Sequence, residues 1–297
     1  MKNIKSLLIV ALMLLTVGCG TTNTVPITGR KTNLLVSDEQ ILSLSTQQYQ
    51  EYMQGAKVSA DQNNTALVKR VGQRLATAVE TFLKENGYAN EVQNFQWEFN
   101  LVADDQVNAF CMPGGKIVVY EGILPVTQDE ASLSIVLGHE IAHAVAKHSA
   151  EQLSKQMRQQ YATQIGGQVL GQVVGSTTAS VVSMAAQTGF NFANLKYSRN
   201  NESEADHLGL IFAAMAGYDP QAAIPFWQRM AQLGGGNKKS EFFSDHPSDE
   251  NRIAALQKEM PEALKYYKPQ PEPQPVAKKT TTKKKTTTKK KTTSNKR

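Results

Sequence analysis

Apolar residues recur at helical spacing through Leu133, Val136, Leu137, Ile141, Ala144 and Val145, which writes one buried stripe along a helix. Thr127 and Glu130 stand in S/T-x-x-E order ahead of it and predict a capping box, with the helix starting near Gln128. Ser37 and Gln40 repeat that signature and predict a helix through about Gln54. Leu67 to Leu83 is a second amphipathic helix, Leu208 to Ala216 a further run, and Asn251–Met260 a last one. Between them the period changes to two. Phe95, Trp97, Phe99 and Leu101 alternate with Gln96, Glu98 and Asn100, the signature of a half-buried strand. Val107–Cys111 and Lys116–Tyr120 read as two more strands around Pro113-Gly114-Gly115. About 230 residues, in a chain with 40% apolar content, suffice for one core. The expectation is one helix-rich α+β domain over residues 36–265, with a small sheet beside the Leu133 helix.

That helix carries chemistry. His139 and His143 stand at i and i+4, neighbours on one face, so two imidazole nitrogens can meet one metal ion. Glu140 projects close by, turned enough to act on a water rather than on the metal. A surface helix with two solvated histidines is the bland alternative, and the apolar flanks argue against it. Gly138 is a poor helix former, tolerable if another element packs tightly there. A two-histidine site needs a third ligand, and Glu202 and Asp206 share a face at i and i+4. One carboxylate can close the tetrahedron and leave the fourth position to water. The other can accept the second ring N–H of a ligating histidine. Spacing does not rank the two. Glu204 points elsewhere on this reading, and an acidic helix start favoured by the macrodipole is the alternative for the whole cluster.

Four stretches together carry a resemblance: Asn108-Ala109-Phe110 with Pro113-Gly114-Gly115, His139-Glu140-Ile141-Ala142-His143, Glu202 to Asp206, and His246-Pro247 with Arg252. In them the chain resembles the HtpX and CAAX-prenyl-endopeptidase family of zinc metallopeptidases, in particular a periplasmic lipoprotein branch of the LoiP/BepA type. Cys111-Met112 departs from the small or aliphatic residues common there. The resemblance implies a zincin-like α+β domain with one zinc ion (Zn2+) per chain, held by His139, His143 and Glu202, with Asp206 orienting a ligating histidine. Glu140 would be the general base. His246 would approach the metal, either capping its open position or supporting the oxyanion, and Arg252 would face developing negative charge. The expected substrate is unfolded or extended polypeptide added to the sheet edge. The expected function is zinc endopeptidase activity in envelope protein quality control. The other reading is a chaperone-like, self-capped binding protein whose partner is the outer-membrane assembly machinery. His148 is read as a capping or structural residue, and His207, which points roughly 100° away from Asp206, is left out of the site.

The ends of the chain place it. Lys2 and Lys5 precede a short apolar stretch, Leu7–Val17, and then Gly18-Cys19, which reads as a signal peptide over residues 1–18. Leu15-Thr16-Val17-Gly18-Cys19 resembles a lipobox, so Cys19 is expected to be lipidated and to anchor the protein to a bacterial outer membrane, facing the periplasm. Residues 19–35 are then a membrane-proximal linker. After Cys19 only Cys111 remains, a buried small hydrophobe rather than half of a disulfide. Ten basic residues and no acids occupy the last twenty positions. Setting these ten aside with Lys2 and Lys5, the net charge of +6 becomes about −6 for residues 19–277, so the basicity belongs to a tail. Residues 266–297 are expected as a disordered Pro-rich linker and Lys/Thr tail. The tail is read as a contact for anionic lipid or cell wall, or as a passive solvated extension. Nucleic acid is not expected as a partner, because the tail lacks aromatics and the expected compartment holds none. Gly167, Gly171 and Gly175 recur at small-xxx-small spacing in residues 163–189, where polar neighbours favour a helical hairpin or flap over a membrane span.

Overall fold

Residues 20–164, 177–234, 246 and 251–269 are described in the structure, a computed structural model. The chain starts with an antiparallel hairpin of β1 (Thr21–Thr24) and β2 (Lys31–Leu34). These residues were expected as a linker. They carry instead Val25, fully buried in the main core, and Leu34, buried in the second one, so the described part of residues 19–35 is docked on the domain. Helix α1 (Asp38–Gly55) follows with the capping box read from the sequence, Ser37 Oγ accepting from Gln40 N at 3.2 Å and Gln40 Oε1 from Ser37 N at 2.9 Å. Helix α2 (Gln62–Glu85) is capped by Asp61 and buries Val68, Val71, Leu75, Val79 and Leu83 at helical spacing.

A three-stranded sheet comes next, β3 (Glu98–Val102), β4 (Ala109–Met112) and β5 (Lys116–Tyr120), in the order β3-β5-β4, with β3 parallel and β4 antiparallel to β5. Period-two alternation splits its side chains between two cores. Phe99, Leu101, Ala109, Cys111, Ile117 and Val119 enter the larger one; Val102, Phe110, Met112, Val118 and Tyr120 enter the other. A sheet covered on both faces needs nearly continuous apolar strands, which is why β4 and β5 are buried at every position. The alternating pattern from Phe95 begins ahead of the strand itself. Phe95 and Trp97 stack with ring centroids 4.6 Å apart, and Trp97 lies over Gly115, whose φ of +82° turns the β4–β5 hairpin.

The remaining helices are α3 (Glu130–Val145), α4 (His148–Gln164), α5 (Thr178–Thr188), α6 (Arg199–Met215), α7 (Ala223–Gly234) and α8 (Arg252–Tyr266). The expected Thr127 cap is not used. Thr127 ends a one-turn helix, Leu124–Thr127, and donates to Leu124 O, while Gln128 turns the chain with φ of +67°. Asp129 caps α3 instead, accepting from Ser132 N at 2.6 Å. Helix α8 likewise continues past Met260 to Tyr266. The Gly-rich centre at 165–176, the signal peptide with Cys19, and the tail from 270 lie outside the described residues. Among the described residues no helix is long and apolar enough to cross a membrane.

Helices α3 and α6 pack backbone against backbone at two glycines. A Cβ at Gly138 would lie 2.7 Å from Gly209 O, and one at Gly209 would lie 2.7 Å from His139 N. Both obstacles are backbone and cannot rotate away. Gly138→Ala or Gly209→Ala should therefore destabilise the protein in urea unfolding, because overpacking costs about 1–3 kcal/mol against the ~1 kcal/mol of helix propensity that alanine returns.

Helices α6 and α8 are also joined by His207 Nδ1, 3.5 Å from Glu259 Oε2. The Glu259 hydrogen bond raises the His207 pKa above 6.5 in spite of partial burial. A raised folded value means a contribution fully present below pH 6.5 and lost as the pH climbs through that value. The stability advantage of wild type over His207→Gln should be up to about 1 kcal/mol at pH 5.5 and should vanish at alkaline pH, as read by paired urea titrations.

Candidate metal centre

Helix α3 is apolar on nearly every side and is buried from Ser132 to His143, so its two histidines are core residues held on a rigid element. Helix α6 starts at Ser198, whose hydroxyl accepts from Asn201 N, and its first turn presents Glu202 to α3 across the Gly138–Gly209 crossing. His139 Nε2 and His143 Nε2 are 3.0 Å apart. Glu202 Oε2 is 3.3 Å from the first and Glu202 Oε1 3.4 Å from the second. A tetrahedral zinc with bonds of about 2.05 Å places its donors roughly 3.3 Å from one another, so the three side chains stand close enough to share one ion.

His246 supplies the fourth corner. Its Nδ1 is 3.2 Å from His139 Nε2 and 3.3 Å from Glu202 Oε1, and its ring is 3% exposed. One donor atom from each of His139, His143, Glu202 and His246 lies within 4.8 Å of all the others. Neither oxygen of Glu202 has a hydrogen-bond partner among the described residues, although both are buried. A buried carboxylate left without a hydrogen bond costs several kcal/mol unless a cation meets it. The donor set, the spacing and the orphaned oxygens all fit a divalent metal.

Electrostatics point the same way. Burial alone would raise the Glu202 carboxyl, and the imidazoles of His246, His143 and His139 instead hold it far below the ordinary carboxylate value. Burial pushes His143 well below 6.5, which keeps it a neutral donor. Burial lowers His139 too, but the neighbouring carboxylates of Asp206 and Glu202 overcome that and raise it to about 9. Around His139, then, the carboxylates ask for positive charge. Burial raises the Glu140 carboxyl, the change expected of a group that must take up a proton.

A family model for peptidase family M48 matches residues 62–260, well over half of the chain. The chain belongs to peptidase family M48. Among M48 relatives, metalloendopeptidase OMA1, mitochondrial, of Homo sapiens is 31% identical over 245 residues, covering 81% of this chain and 46% of its own length. Mitochondrial metalloendopeptidase OMA1 of Arabidopsis thaliana is 36% identical over 187 residues, 62% of this chain and 36% of the relative. The beta-barrel assembly-enhancing protease of Escherichia coli is 24% identical over 237 residues, 78% and 46%. The chain spans about half the length of the curated relatives it matches, or less.

Of the residues singled out in the sequence, this M48 domain gathers His139, Glu140, His143, Glu202 and His246 into one buried cluster. Asp206 stands behind it, its Oδ1 2.9 Å from His139 Nδ1. Arg252 does not face the reacting side as expected. Its guanidinium bonds Asp206 and lies 3.4 Å over the Trp227 ring, on the Nδ1 side of His139, so it steadies Asp206 rather than developing charge. Strand β4 is an edge strand, as a peptide-binding sheet requires, but the turn Phe192–Asn194 packs against it.

Three residues were missed. His148 is fully buried, with Nδ1 2.9 Å from His143 Nδ1 and Nε2 2.9 Å from Glu204 Oε2. Glu204, set aside as pointing elsewhere, points at His148, and Tyr197 stacks on the His143 ring at 4.0 Å. Helical spacing could not find His148, because α3 ends and Lys147, at φ +57°, turns the chain before α4 begins.

Proposed function

We propose that this M48 protein is a zinc-dependent endopeptidase that hydrolyses unfolded or misassembled polypeptide in a bacterial envelope. One observation carries the reading: Glu202 is buried with neither oxygen hydrogen-bonded among the described residues, and its Oε2 and Oε1 lie 3.3 and 3.4 Å from the Nε2 atoms of His139 and His143. Those three residues would hold one zinc ion, which when bound supplies a Lewis acid for the scissile carbonyl and makes water acidic near neutral pH.

The chain's own residues do the rest. Glu140 Oε1 is buried, with no hydrogen-bond partner among the described residues, and lies 3.6 Å from His246 Nε2. It takes a proton from the water that attacks the peptide carbon and delivers it to the amine nitrogen as the C–N bond breaks. Asp206, backed by Arg252, accepts from His139 Nδ1 and leaves Nε2 free for the metal. An extended peptide would run along β4, displacing the Phe192–Asn194 turn. Lipidation at Cys19, a periplasmic site at the outer membrane and contact of the Lys/Thr tail with anionic lipid or cell wall belong to the same proposal. They rest on the Leu15–Cys19 motif and the tail's charge, and the beta-barrel assembly-enhancing relatives from Escherichia coli and Yersinia pestis support an envelope setting.

His246 favours a second, compatible state. With its Nδ1 at the fourth corner it would cap the metal and exclude substrate, so the resting protein is latent, and a capped protein can serve as a chaperone-like partner of the outer-membrane assembly machinery. Glu140→Gln should keep one zinc per chain by atomic absorption and lose casein cleavage by about 10²-fold or more; substantial cleavage by the purified variant would count against this scheme. His246→Ala should cleave casein faster than wild type under the same assay. A slower variant would replace the cap with oxyanion support.

A further inference from the structure

His148, Glu204, Arg30 and Thr28 form a chain of contacts that the proposed chemistry does not use. It ends on the N-terminal hairpin. Thr28 Oγ1 donates to Glu204 Oε1 at 2.6 Å, and Arg30 Nε donates to Glu204 Oε2 at 2.8 Å. The same guanidinium grips Glu151 of α4, with Nη1 at 3.2 Å and Nη2 at 3.0 Å from the two oxygens. Glu204 Oε2 then meets His148 Nε2 at 2.9 Å, and His148 Nδ1 meets His143 Nδ1 at 2.9 Å. The hairpin turn is held in an unfavourable shape to do this. Ile27, a β-branched residue, has φ of +68°, next to Gly29 at +66°.

With Glu204 ionised and both imidazoles neutral, the contacts fix the proton positions along this chain. An ionised carboxylate only accepts, so the hydrogen shared by Glu204 and a neutral His148 sits on His148 Nε2. His148 Nδ1 is then an acceptor, and the hydrogen between the two imidazoles must sit on His143 Nδ1. That leaves the lone pair of His143 on Nε2, the atom 3.0 Å from His139 Nε2 at the centre of the cluster. Asp206 does the same for His139 from the other side. The three acids of α6 at 202, 204 and 206 thus serve one purpose by different routes, although Glu204 lies on the opposite face of the helix from the other two.

We propose that Arg30, Thr28, Glu204 and His148 are positioning residues for the metal centre: through fixed hydrogen bonds they set the tautomer and orientation of His143, which makes the N-terminal hairpin part of the zinc site. This rests on the zinc reading above. Outer partners of a ligating histidine are worth about 10–100-fold in metal affinity. A group that only packs would not care which atoms it presents.

The experiment is zinc affinity of the full chain by competition with a chromophoric chelator, with circular dichroism to confirm the fold. His148→Leu should weaken zinc by about 10–100-fold, while His148→Gln, which can still accept with Oε1 and donate with Nε2, should recover most of it. Arg30→Gln, at the outer end and a third exposed, should weaken zinc several-fold without unfolding the protein, and it remains the readout if His148→Leu does not fold. Two-bond 15N correlation spectra of histidine-labelled, zinc-loaded wild type should show His143 protonated on Nδ1. Equal affinity in wild type, His148→Leu and Arg30→Gln would overturn the inference, and so would equal losses in the leucine and glutamine variants or a His143 proton on Nε2. A wild-type chain that takes up no zinc would instead sink the zinc reading itself.

Discussion

Everything at the site depends on the contact of two glycines. Gly138 and Gly209 let α3 and α6 approach until backbone meets backbone, with no room for a Cβ on either side. Each glycine stands one or a few residues from the chemistry: Gly138 precedes His139, and Gly209 follows Asp206 on the same helix. The separation of the helices there sets the 3.3 and 3.4 Å distances from Glu202 to the two imidazoles. Helices crossing with ordinary side chains between them sit 8–10 Å apart, and a glutamate on such a helix would have to reach for the histidines with an unfixed side chain. Close approach replaces reach with rigidity.

Rigidity alone would be unfavourable, because the crossing buries ionisable groups that water would otherwise solvate. His139, Glu140, His143, Glu202 and His246 are all at most 3% exposed. Desolvating one unpaired carboxylate costs several kcal/mol, more than the whole margin by which many domains are stable can absorb twice over. The fold answers in two ways. Behind the histidines it supplies hydrogen-bond partners to both rings: Asp206 with Arg252 on one, and His148 with Glu204, Thr28 and Arg30 on the other. In front of them, among the described residues, Glu202 meets imidazole nitrogens and no hydrogen-bond partner. Histidine rings held from behind around a carboxylate left without hydrogen bonds form the pattern of a place reserved for a cation.

The local parts of this arrangement were legible in the sequence, and the parts made by tertiary contact were not. The i, i+4 spacing of His139 and His143 fixes their common face on any helix, and Gly138 signalled a tight neighbour before the neighbour was known. The Ser37–Gln40 box and the strand at Lys116–Tyr120 were also plain, because each depends on residues within one turn or one strand. Thr127 misled, since Asp129 is as good a cap and the turn at Gln128 put it in place. Glu202 and Asp206 could be paired by spacing but not ranked, because the contacts that separate them, the imidazoles of His143 and His246 for one and Arg252 for the other, are tertiary and follow no local pattern. Arg30 and His148 carry no helical or strand period relative to the histidine they serve. Residues 19–35 looked like a linker for a related reason: a short hairpin gives few apolar positions, and Val25 shows its burial only once the core exists.

The hairpin gives that stretch a meaning it would lack as a tether. A spacer between a membrane anchor and an enzyme needs length and solubility, and its residues would be free to vary in conformation. Here Ile27 accepts a left-handed backbone and Arg30 is committed to two glutamates on two different helices, α4 and α6. Conformational strain of one or more kcal/mol persists only where surrounding contacts overdetermine it. The contacts that do so here lead through Glu204 and His148 to a histidine of the cluster. Whatever pulls on residues just before Thr21 therefore pulls on the same network that orients His143, and a change in the hairpin's docking reaches the metal centre without any motion of α3 itself.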